Sequence, residues 1–330
     1  MSILVTGGAG YIGSHTVRAL RRAGREVVVL DSLELGHRLA VIDAPLVVGD
    51  IADGRLVQEV CRDHGVTAAV HFAAYKSVGE SMATPGKYWE NNVGRSAALF
   101  DSLLTAGVRN VVFSSSCSVY GTPPEVPVTE DAPIQPESVY AETKAVVERM
   151  LHWYDVTHGM QSVSLRYFNA AGASDDALIG EDWTHSINLV PVVMKAALGR
   201  RAAVEVFGTD YPTADGTCVR DYIHVDDLAA AHVASVEYLE RGGDTAALNV
   251  GTGVGSSVLD VIRATERIAG IFVPHRLGPR RAGDPVATYA QPDRAAAVLG
   301  WRASRGLDEI IRSAWAWHSS HPDGYDAAPR

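Results

Sequence analysis

A glycine-rich loop directly after a short apolar run is the feature that most constrains how this chain can fold. Residues 3–6 are Ile-Leu-Val-Thr, and the next seven are Gly-Gly-Ala-Gly-Tyr-Ile-Gly. Glycine is required where a chain turns tightly, where its backbone approaches a pyrophosphate and where a helix packs closely on a strand. A helix that begins in this loop would also direct free N–H groups at phosphates. The pattern therefore predicts a dinucleotide-binding strand–loop–helix unit, with cofactor contacts from Gly7, Gly10, Tyr11, Ile12 and Gly13.

Strands and helices alternate through the first half of the sequence. Short runs rich in β-branched residues predict buried strands at Ile3–Thr6, Val27–Leu30, Ala69–Phe72, Asn110–Ser114 and Ser162–Arg166. Helical periodicity predicts helices at Tyr11–Ala23, Arg55–His64, Tyr88–Ala106 and Tyr140–Val156. This alternation is typical of an α/β fold, a Rossmann-type doubly wound parallel sheet with helices on both faces. Ligands of such folds bind beyond the carboxyl ends of the strands.

The sequence changes character after about residue 172. Loops lengthen and proline and glycine recur, so we place a smaller α/β substrate domain at 172–330 and the dinucleotide domain at 1–171. A length of 330 residues agrees with two domains. Residues 226–251 again read as a helix followed by a strand, which predicts that this segment rejoins the first domain.

Composition excludes several classes of function. The net charge of −10 argues against a nucleic-acid-binding surface. The three cysteines are far apart and form no CxxC pair, so neither a disulfide framework nor a zinc cluster is expected, and the histidines show no metal-binding spacing. No apolar run is long enough to span a membrane, and the first residues lack the pattern of a signal peptide. Reduced thiols then predict a cytoplasmic protein.

Acidic residues at strand ends indicate which dinucleotide is bound. Asp31 ends the second predicted strand, 18 residues after Gly13. A carboxylate there can hold both ribose hydroxyls and would repel a 2′-phosphate, which favours NAD over NADP. Asp50 and Ile51 follow a further short strand, which lies between the predicted strands Val27–Leu30 and Ala69–Phe72. They are candidates for the adenine edge, although a strand-end aspartate is also a common helix cap.

Tyr140 and Lys144 are four residues apart in a predicted helix and therefore share one face. A free tyrosine has a pKa near 10, too high for a base at neutral pH. A neighbouring ammonium and a positively charged nicotinamide would both favour phenolate and lower that pKa. The preceding strand ends in residues 114–116, Ser-Ser-Ser. A serine hydroxyl at this strand end can bind the same substrate hydroxyl as the tyrosine.

The combination of the glycine loop, the strand-end serines and the Tyr-x-x-x-Lys pair resembles the extended short-chain dehydrogenase/reductase family, nearly end to end. Within it, the sequence is similar to the UDP-glucose (UDP-galactose) 4-epimerases. The segments that carry the similarity are Thr6–His15, Lys76–Ser81, Arg166–Asn169, Val219–Val225 and Arg280–Asp284.

The resemblance implies roles for individual residues. Tyr140 would be the acid/base, Lys144 would lower its pKa and hold the nicotinamide ribose, and Ser116 would bind the reacting hydroxyl. The resemblance also implies cofactor contacts from Phe72, Ala73, Lys76, Asn91 and Tyr167. The implied UDP-sugar contacts, besides Lys76, Ser116 and Tyr140, are Asn169, Asn188, Leu189, Phe207, Arg220, Arg281 and Asp284. A homodimer through helices Tyr88–Ala106 and Tyr140–Val156 is implied as well.

The reaction implied by the resemblance inverts carbon 4 of a UDP-sugar. Tyrosinate 140 removes the proton of the 4-hydroxyl while hydride passes to the nicotinamide. The 4-keto sugar then turns about its bond to the diphosphate. Hydride returns to its other face, and Tyr140 returns the proton to the oxygen. Binding energy would thus be placed on UDP, the group that does not react.

One position bears on which sugar is accepted. The residue that lies beside the sugar in these epimerases is a bulky tyrosine in some members and smaller in others. It corresponds to Thr288, which would leave room for the acetyl group of UDP-N-acetylhexosamines; an alignment shifted by one residue would place Tyr289 there.

Three alternatives compete with this interpretation. Epimerization of another UDP-sugar, such as UDP-glucuronate, is open because the sequence does not resolve the pocket for carbon 6. A sugar-nucleotide 4,6-dehydratase needs an additional acid and base, and where such enzymes have Thr-Asp-Glu this chain has Ser116-Cys117-Ser118. A non-catalytic NAD sensor could keep the glycine loop but lose Tyr140 or Lys144, and both are present.

Overall fold

The main body is a parallel sheet whose strands follow one another in the order predicted. The computed structural model describes residues 2–184, 186–281 and 283–325. In these residues the sheet contains β1 (Ser2–Thr6), β2 (Glu26–Asp31), β3 (Leu46–Val48), β4 (Val66–His71), β5 (Asn110–Ser114), β6 (Gln161–Tyr167) and β10 (Ala246–Val250). Their spatial order is β3-β2-β1-β4-β5-β6-β10, and all pairs are parallel. The predicted Rossmann-type fold class is therefore confirmed.

Smaller sheets lie in the second half of the chain. They are built from β7 (Asn169–Ala171), β8 (Val204–Phe207), β9 (Val219–His224), β11 (Gly255–Ser257), β12 (His275–Gly278) and β13 (Ala287–Thr288). The central strand β9 pairs with β7, β11 and β13, whereas β8 pairs with β12.

The α-helices cover the sheets. They are α1 (Tyr11–Arg22), α2 (Gly54–His64), α3 (Val78–Ala83), α4 (Pro85–Tyr88), α5 (Arg95–Thr105), α6 (Val139–His158), α7 (Leu189–Ala197), α8 (Val225–Glu240), α9 (Val258–Ala269), α10 (Asp293–Leu299) and α11 (Leu307–Ser320). The single helix predicted over 88–106 is instead α4, a π-helical segment at Trp89–Gly94 and α5. None of the helices in the described ranges is long and apolar enough to cross a membrane.

Side-chain alternation along the strands gives the main sheet a core on each face. Ile3 and Val5 face one core with α1 and α8, and Leu4 faces the other with α2, α5 and α6. A third core lies in the second half, where α7, α9 and α11 pack together. β10 borders β6 in the main sheet, and α8 and α10 pack into the core of the main body. The segment after residue 172 therefore contributes helices both to the core of the main sheet and to the third core.

Candidate active site

A cleft opens at the carboxyl ends of the main strands. Chain order runs from β1 outward to β3 and then returns to β4, so the crossover directions diverge between β1 and β4, the usual place for a ligand in this fold. The cleft encloses a cavity of about 280 Å³. It brings together all the residues predicted to contact the cofactor: Gly7, Gly10, Tyr11, Ile12, Gly13, Asp31, Asp50, Ile51, Phe72, Ala73, Lys76, Asn91, Tyr140, Lys144 and Tyr167.

The loop between β1 and α1 is packed so closely that two of its glycines cannot carry a side chain. Gly7 has a φ of +71°, and a Cβ there would lie 2.6 Å from the Ala73 nitrogen. A Cβ on Gly13 would lie 2.3 Å from the Gly7 carbonyl oxygen. Gly10 is less constrained, since its Cβ would meet that oxygen at 3.3 Å, and it is the N-cap of α1 without a side-chain cap. The first-turn N–H groups are thus left for an anionic ligand, and the loop fits a pyrophosphate.

Two carboxylates stand at the other end of the cleft. Asp31 is buried and accepts the backbone N–H groups of Ala9 (2.9 Å) and Leu33 (2.8 Å). Asp50 accepts Arg95 Nη1 at 2.5 Å, and Arg95 itself lines the cleft. Hydrogen bonds therefore fix both strand-end aspartates on the cleft wall, and Arg95 adds a cation that the sequence did not single out.

Tyr140 and Lys144 lie on the first turns of α6. The helix begins after Ser138, whose hydroxyl accepts the N–H of Ala141 at 3.2 Å, a typical N-cap. Lys144 Nζ donates to the Ser114 carbonyl oxygen at 2.7 Å and lies 5.9 Å from the centre of the Tyr140 ring. Both side chains are buried. The end of β5 and the start of α6 thus form one wall of the cleft.

Burial shifts the pKa values of Tyr140 and Lys144 in opposite directions. It raises the pKa of Tyr140 well above its ordinary value; Tyr167 adds to the increase, and hydrogen bonding with Ser116 opposes it. It lowers the pKa of Lys144 to about 7, with Glu148 acting in the other direction. Both shifts favour the neutral form. The sequence predicted that Lys144 lowers the pKa of Tyr140, but in the protein by itself desolvation outweighs that attraction.

Ser116 and Tyr167 approach Tyr140 from the sheet. The hydroxyl of Ser116 accepts the backbone N–H of Ser118 at 3.2 Å and the hydroxyl of Ser118 at 2.9 Å. The hydroxyl of Tyr167 is 2.9 Å from that of Ser114. The predicted triad of Ser116, Tyr140 and Lys144 is therefore assembled, with Ser116 behind the residues that line the cavity.

Four of the predicted substrate residues form a second cluster in the other half of the chain. Arg281 donates to both carboxylate oxygens of Asp284, at 2.9 and 3.0 Å, and its guanidinium lies 5.4 Å from the Phe207 ring centre. Arg220 Nη2 is 3.6 Å from the same carboxylate. The Cys117 thiol is within electrostatic range of Arg220 and of Tyr140. This arginine cluster thus lies near the wall formed by the end of β5 and the start of α6.

Two of the remaining predicted substrate residues, Lys76 and Asn188, meet at one buried carboxylate. Glu181 Oε1 accepts Asn188 Nδ2 at 3.1 Å and Lys76 Nζ at 3.4 Å. Asn188 is the N-cap of α7 and Leu189 its first residue. Asn169 is exposed on β7, in register with Tyr222 on β9. Lys76 and Asn188 are therefore joined, while Asn169 stands apart from this carboxylate.

Sequence reasoning missed Glu181. Its side chain is 4% exposed, and it lines the cleft beside Tyr11. It lies 105 positions from Lys76, in a long loop with no recognizable motif. The one available signal in the sequence was an acidic residue among the long loops that follow residue 172. Across residues 2–184, 186–281 and 283–325, no group of three metal-binding side chains is found.

Comparisons with known proteins agree with this architecture. Residues 3–251 match the model of the NAD dependent epimerase/dehydratase family. The UDP-glucose 4-epimerase of Lacticaseibacillus casei is 44% identical over 98% of this chain and 99% of its own. The UDP-glucose-4-epimerase of Stenotrophomonas maltophila, solved with NAD and formylated UDP-arabinopyranose, is 42% identical with a TM-score of 0.96 over 98% of this chain and 99% of that one.

A further solved structure differs in the sugars that its name includes. The UDP-Glc/GlcNAc 4-epimerase of Campylobacter jejuni is 36% identical, with a TM-score of 0.86 over 97% of this chain and 99% of that one. The resemblance drawn from the sequence motifs is confirmed by these matches. The chain therefore belongs to the NAD dependent epimerase/dehydratase family.

Proposed function

We propose that this protein is an NAD-dependent UDP-glucose 4-epimerase that interconverts UDP-glucose and UDP-galactose. The observation that carries the proposal is the buried group of Tyr140, Lys144 and Ser116 beside a glycine loop that fits a pyrophosphate. Residues 1–171 and 226–251 would hold the dinucleotide, and 172–330 would hold the UDP-sugar. Relatives with this name, matched over nearly their whole length, support the assignment.

The protein's own part of the chemistry is proton transfer at the sugar 4-hydroxyl. NAD, when bound, supplies the two-electron oxidation and re-reduction of carbon 4. Tyr140 accepts the hydroxyl proton and later returns it, and Ser116 orients the oxygen. Because burial keeps the phenol protonated in the protein alone, positive charge from Lys144 and from the oxidized nicotinamide is needed to favour phenolate.

The arginine cluster would hold the part of the substrate that does not react. A guanidinium donates two hydrogen bonds in one plane, which suits a diphosphate. Arg220 and Arg281 are already close to Asp284, so their planes are oriented before binding. Asn188 and Leu189 at the start of α7, together with Phe207, would complete the grip on UDP and leave the sugar ring free to turn.

We further propose that UDP-N-acetylhexosamines are accepted. β13 pairs with β9 so that Thr288 lies in register with Arg220, and side chains of residues in register on parallel strands point to the same face. Tyr289 points the other way and approaches Gly255, whose Cβ would lie 3.4 Å from its ring. This alternation supports Thr288, rather than Tyr289, as the small residue beside the sugar. The solved UDP-Glc/GlcNAc 4-epimerase is consistent with such an extension.

A homodimer in the cytoplasm completes the proposal. Trp153 and Val156 on α6 are 62% and 61% exposed, and Tyr154 between them binds α5 through a 2.7 Å hydrogen bond to Asp101. Large apolar residues exposed side by side on one helix are typical of a subunit interface. The three free cysteines suit a reducing compartment.

The test is turnover of UDP-galactose by NAD-loaded protein, followed by product analysis. UDP-glucose is the expected product. Tyr140→Phe should lower kcat by about 10²- to 10⁴-fold, the usual contribution of an acid–base group, with UDP affinity unchanged. Tyr154→Phe, on the same helix but bonded to Asp101, is the matched control and should retain full activity. A 4-keto-6-deoxy product would assign a dehydratase instead, and full turnover by Tyr140→Phe would exclude the mechanism.

A further inference from the structure

A largely buried carboxylate adjoins the wall formed by the end of β5 and the start of α6, and the proposed mechanism does not use it. Glu148 lies one helical turn beyond Lys144 on α6, and its side chain is 12% exposed. Arg166 on β6 donates to it from Nη2 at 2.6 Å and from Nε at 3.0 Å. The Ser115 hydroxyl donates to its Oε1. Glu148 is therefore held from two strands of the sheet.

The partners of Glu148 are themselves fixed. Arg166 Nη1 donates to the Tyr120 hydroxyl at 2.9 Å, which donates to Asn249 Oδ1 at 2.7 Å. Asn249 on β10 then binds the Val128 carbonyl oxygen at 2.9 Å. A fully bonded buried network of this kind has one preferred arrangement. The position of the Glu148 carboxylate is thus set by β6, β10 and the turn around Tyr120.

Glu148 meets the proposed catalytic groups at two points. Ser115 stands between Ser114, whose carbonyl oxygen accepts Lys144 Nζ, and Ser116. Lys144 and Glu148 are also four residues apart and share one face of α6. The same carboxylate therefore binds Ser115, the middle one of the three serines, on one side and adjoins the lysine on the other.

We propose that Glu148 is a positioning residue for the reaction. Held by Arg166, its carboxylate fixes the serines at the end of β5 against α6 and keeps a negative charge beside Lys144. This inference rests on the proposed epimerase function.

The charge of Lys144 depends on few neighbours. It faces Tyr140 and Glu148 on its own helix, His71 on β4, and Tyr167 on β6, which shares Ser114 with it. His71 has a pKa of about 3 and is neutral. Burial lowers the pKa of Lys144 to about 7, and Glu148 raises it. Loss of the Glu148 charge therefore lowers it further, although Arg166 offsets part of the effect of Glu148.

The pH dependence of turnover follows from this arrangement. If Lys144 acts as an ammonium, kcat falls as pH rises through its pKa. Removal of the nearby carboxylate moves this alkaline decline to lower pH. Because Glu148→Gln alone would leave the charge of Arg166 buried without its carboxylate, the informative comparison is the double variant Glu148→Gln/Arg166→Gln against Arg166→Gln, in which the Ser115 hydroxyl still binds the carboxylate. These two proteins differ in the carboxylate alone.

The experiment records kcat against pH for the NAD-loaded proteins with UDP-galactose. At pH values well above the pKa of Lys144, the double variant is expected to turn over about tenfold more slowly than Arg166→Gln, the effect of lowering that pKa by about one, and its alkaline decline should begin at lower pH. KM should change little, since UDP is held elsewhere. Glu148→Asp, which keeps the charge, should retain the wild-type alkaline decline with a lower kcat.

These measurements test the role of Glu148 and the proposed epimerase function separately. Coincident pH profiles for the double variant and Arg166→Gln would overturn the role of Glu148. Failure of the double variant to fold when Arg166→Gln folds would also overturn it, because the carboxylate would then be structural. Wild-type turnover is measured first, and its absence would reject the proposed function itself.

Discussion

Tyr140 and Lys144 show how one physical factor acts on two groups of opposite charge type. Both are buried at the same wall of the cleft, and desolvation drives each toward its neutral form, the phenol by raising its pKa and the amine by lowering its pKa. In the proposed mechanism, proton transfer would therefore depend on the charges of the bound ligand and of Glu148. The fold sets the positions of Tyr140 and Lys144, and their protonation would be set when the ligand binds.

Thr288, the residue proposed to lie beside the sugar, gives a direct prediction about which sugars are accepted. Wild-type protein should turn over UDP-galactose and UDP-N-acetylgalactosamine. Thr288→Tyr should lower kcat/KM for the acetylated sugar by roughly 100-fold, since pocket wall changes are worth 10- to 200-fold, while UDP-galactose is still used. Thr288→Val keeps the volume and should keep both activities. The measurement is the ratio of the two kcat/KM values, and no turnover of the acetylated sugar by wild type would contradict the idea.

Single residues were predictable from the sequence where a local pattern identifies them. Tyr140 and Lys144 share a helical face, and Asp31 ends a strand, so spacing alone located them on the cleft wall. Glu181 and Arg95 reach the same cleft through contacts that no local pattern records. The charge states also escaped prediction, because burial, which depends on the whole fold, controls the pKa of Tyr140.

Substitutions in the loop between β1 and α1 should distinguish an effect on folding from an effect on cofactor binding. Gly13→Ala places a Cβ 2.3 Å from the Gly7 oxygen, so α1 must move, at a cost of about 1–3 kcal/mol, and cofactor should be lost as well. Gly10→Ala meets that oxygen only at 3.3 Å and should leave the fold intact while weakening NAD binding. Urea unfolding and NAD content after desalting distinguish the two. Wild-type NAD retention by Gly10→Ala would argue against a pyrophosphate at this loop.

Element boundaries were predicted well where period and caps coincide. The helix starting at Tyr11 ends one residue from its predicted end, and α6 extends only slightly beyond its prediction. The predicted helix 88–106 is interrupted by the π-helical segment Trp89–Gly94, which turns Asn92 inward. Asn92 binds both backbone groups of Tyr75, at 2.9 and 3.0 Å. Apolar periodicity cannot reveal a π-helical segment whose side chain binds the backbone of a residue distant in sequence.

For the whole molecule, buried histidines predict how stability depends on pH. His71, His232 and His318 have pKa values of about 3, 4 and 3 because burial disfavours their charged forms, against an ordinary value near 6.5. The unfolded chain therefore binds more protons, so stability is complete above about pH 6.5 and is lost as pH falls toward 4. Each contributes up to about 1.4 kcal/mol per pH unit. The carboxylates of Asp176 and Asp182, with strongly lowered pKa values, titrate below this window.

Urea unfolding between pH 5 and pH 7 measures this slope. His318→Phe removes one titrating group and can keep the stacking on Trp183, whose ring centre lies 4.5 Å away. It should flatten the pH dependence, and His152→Phe, at an exposed position, should not. Equal slopes for the two variants would show that the pKa of His318 in the folded protein is close to its value in the unfolded chain.

The oligomeric state depends on the surface of the whole molecule. If two copies pair through α5 and α6, Trp153 is buried in a two-fold interface. A substitution of Trp153 then occurs twice in that interface, once from each copy. A carboxylate buried there costs on the order of several kcal/mol per ion, so Trp153→Glu should convert a dimer into a monomer. Phe272→Glu, at a site 72% exposed in the other half of the chain, should remain dimeric. Light scattering gives the masses, and a wild-type protein at the mass of one chain would refute the interface.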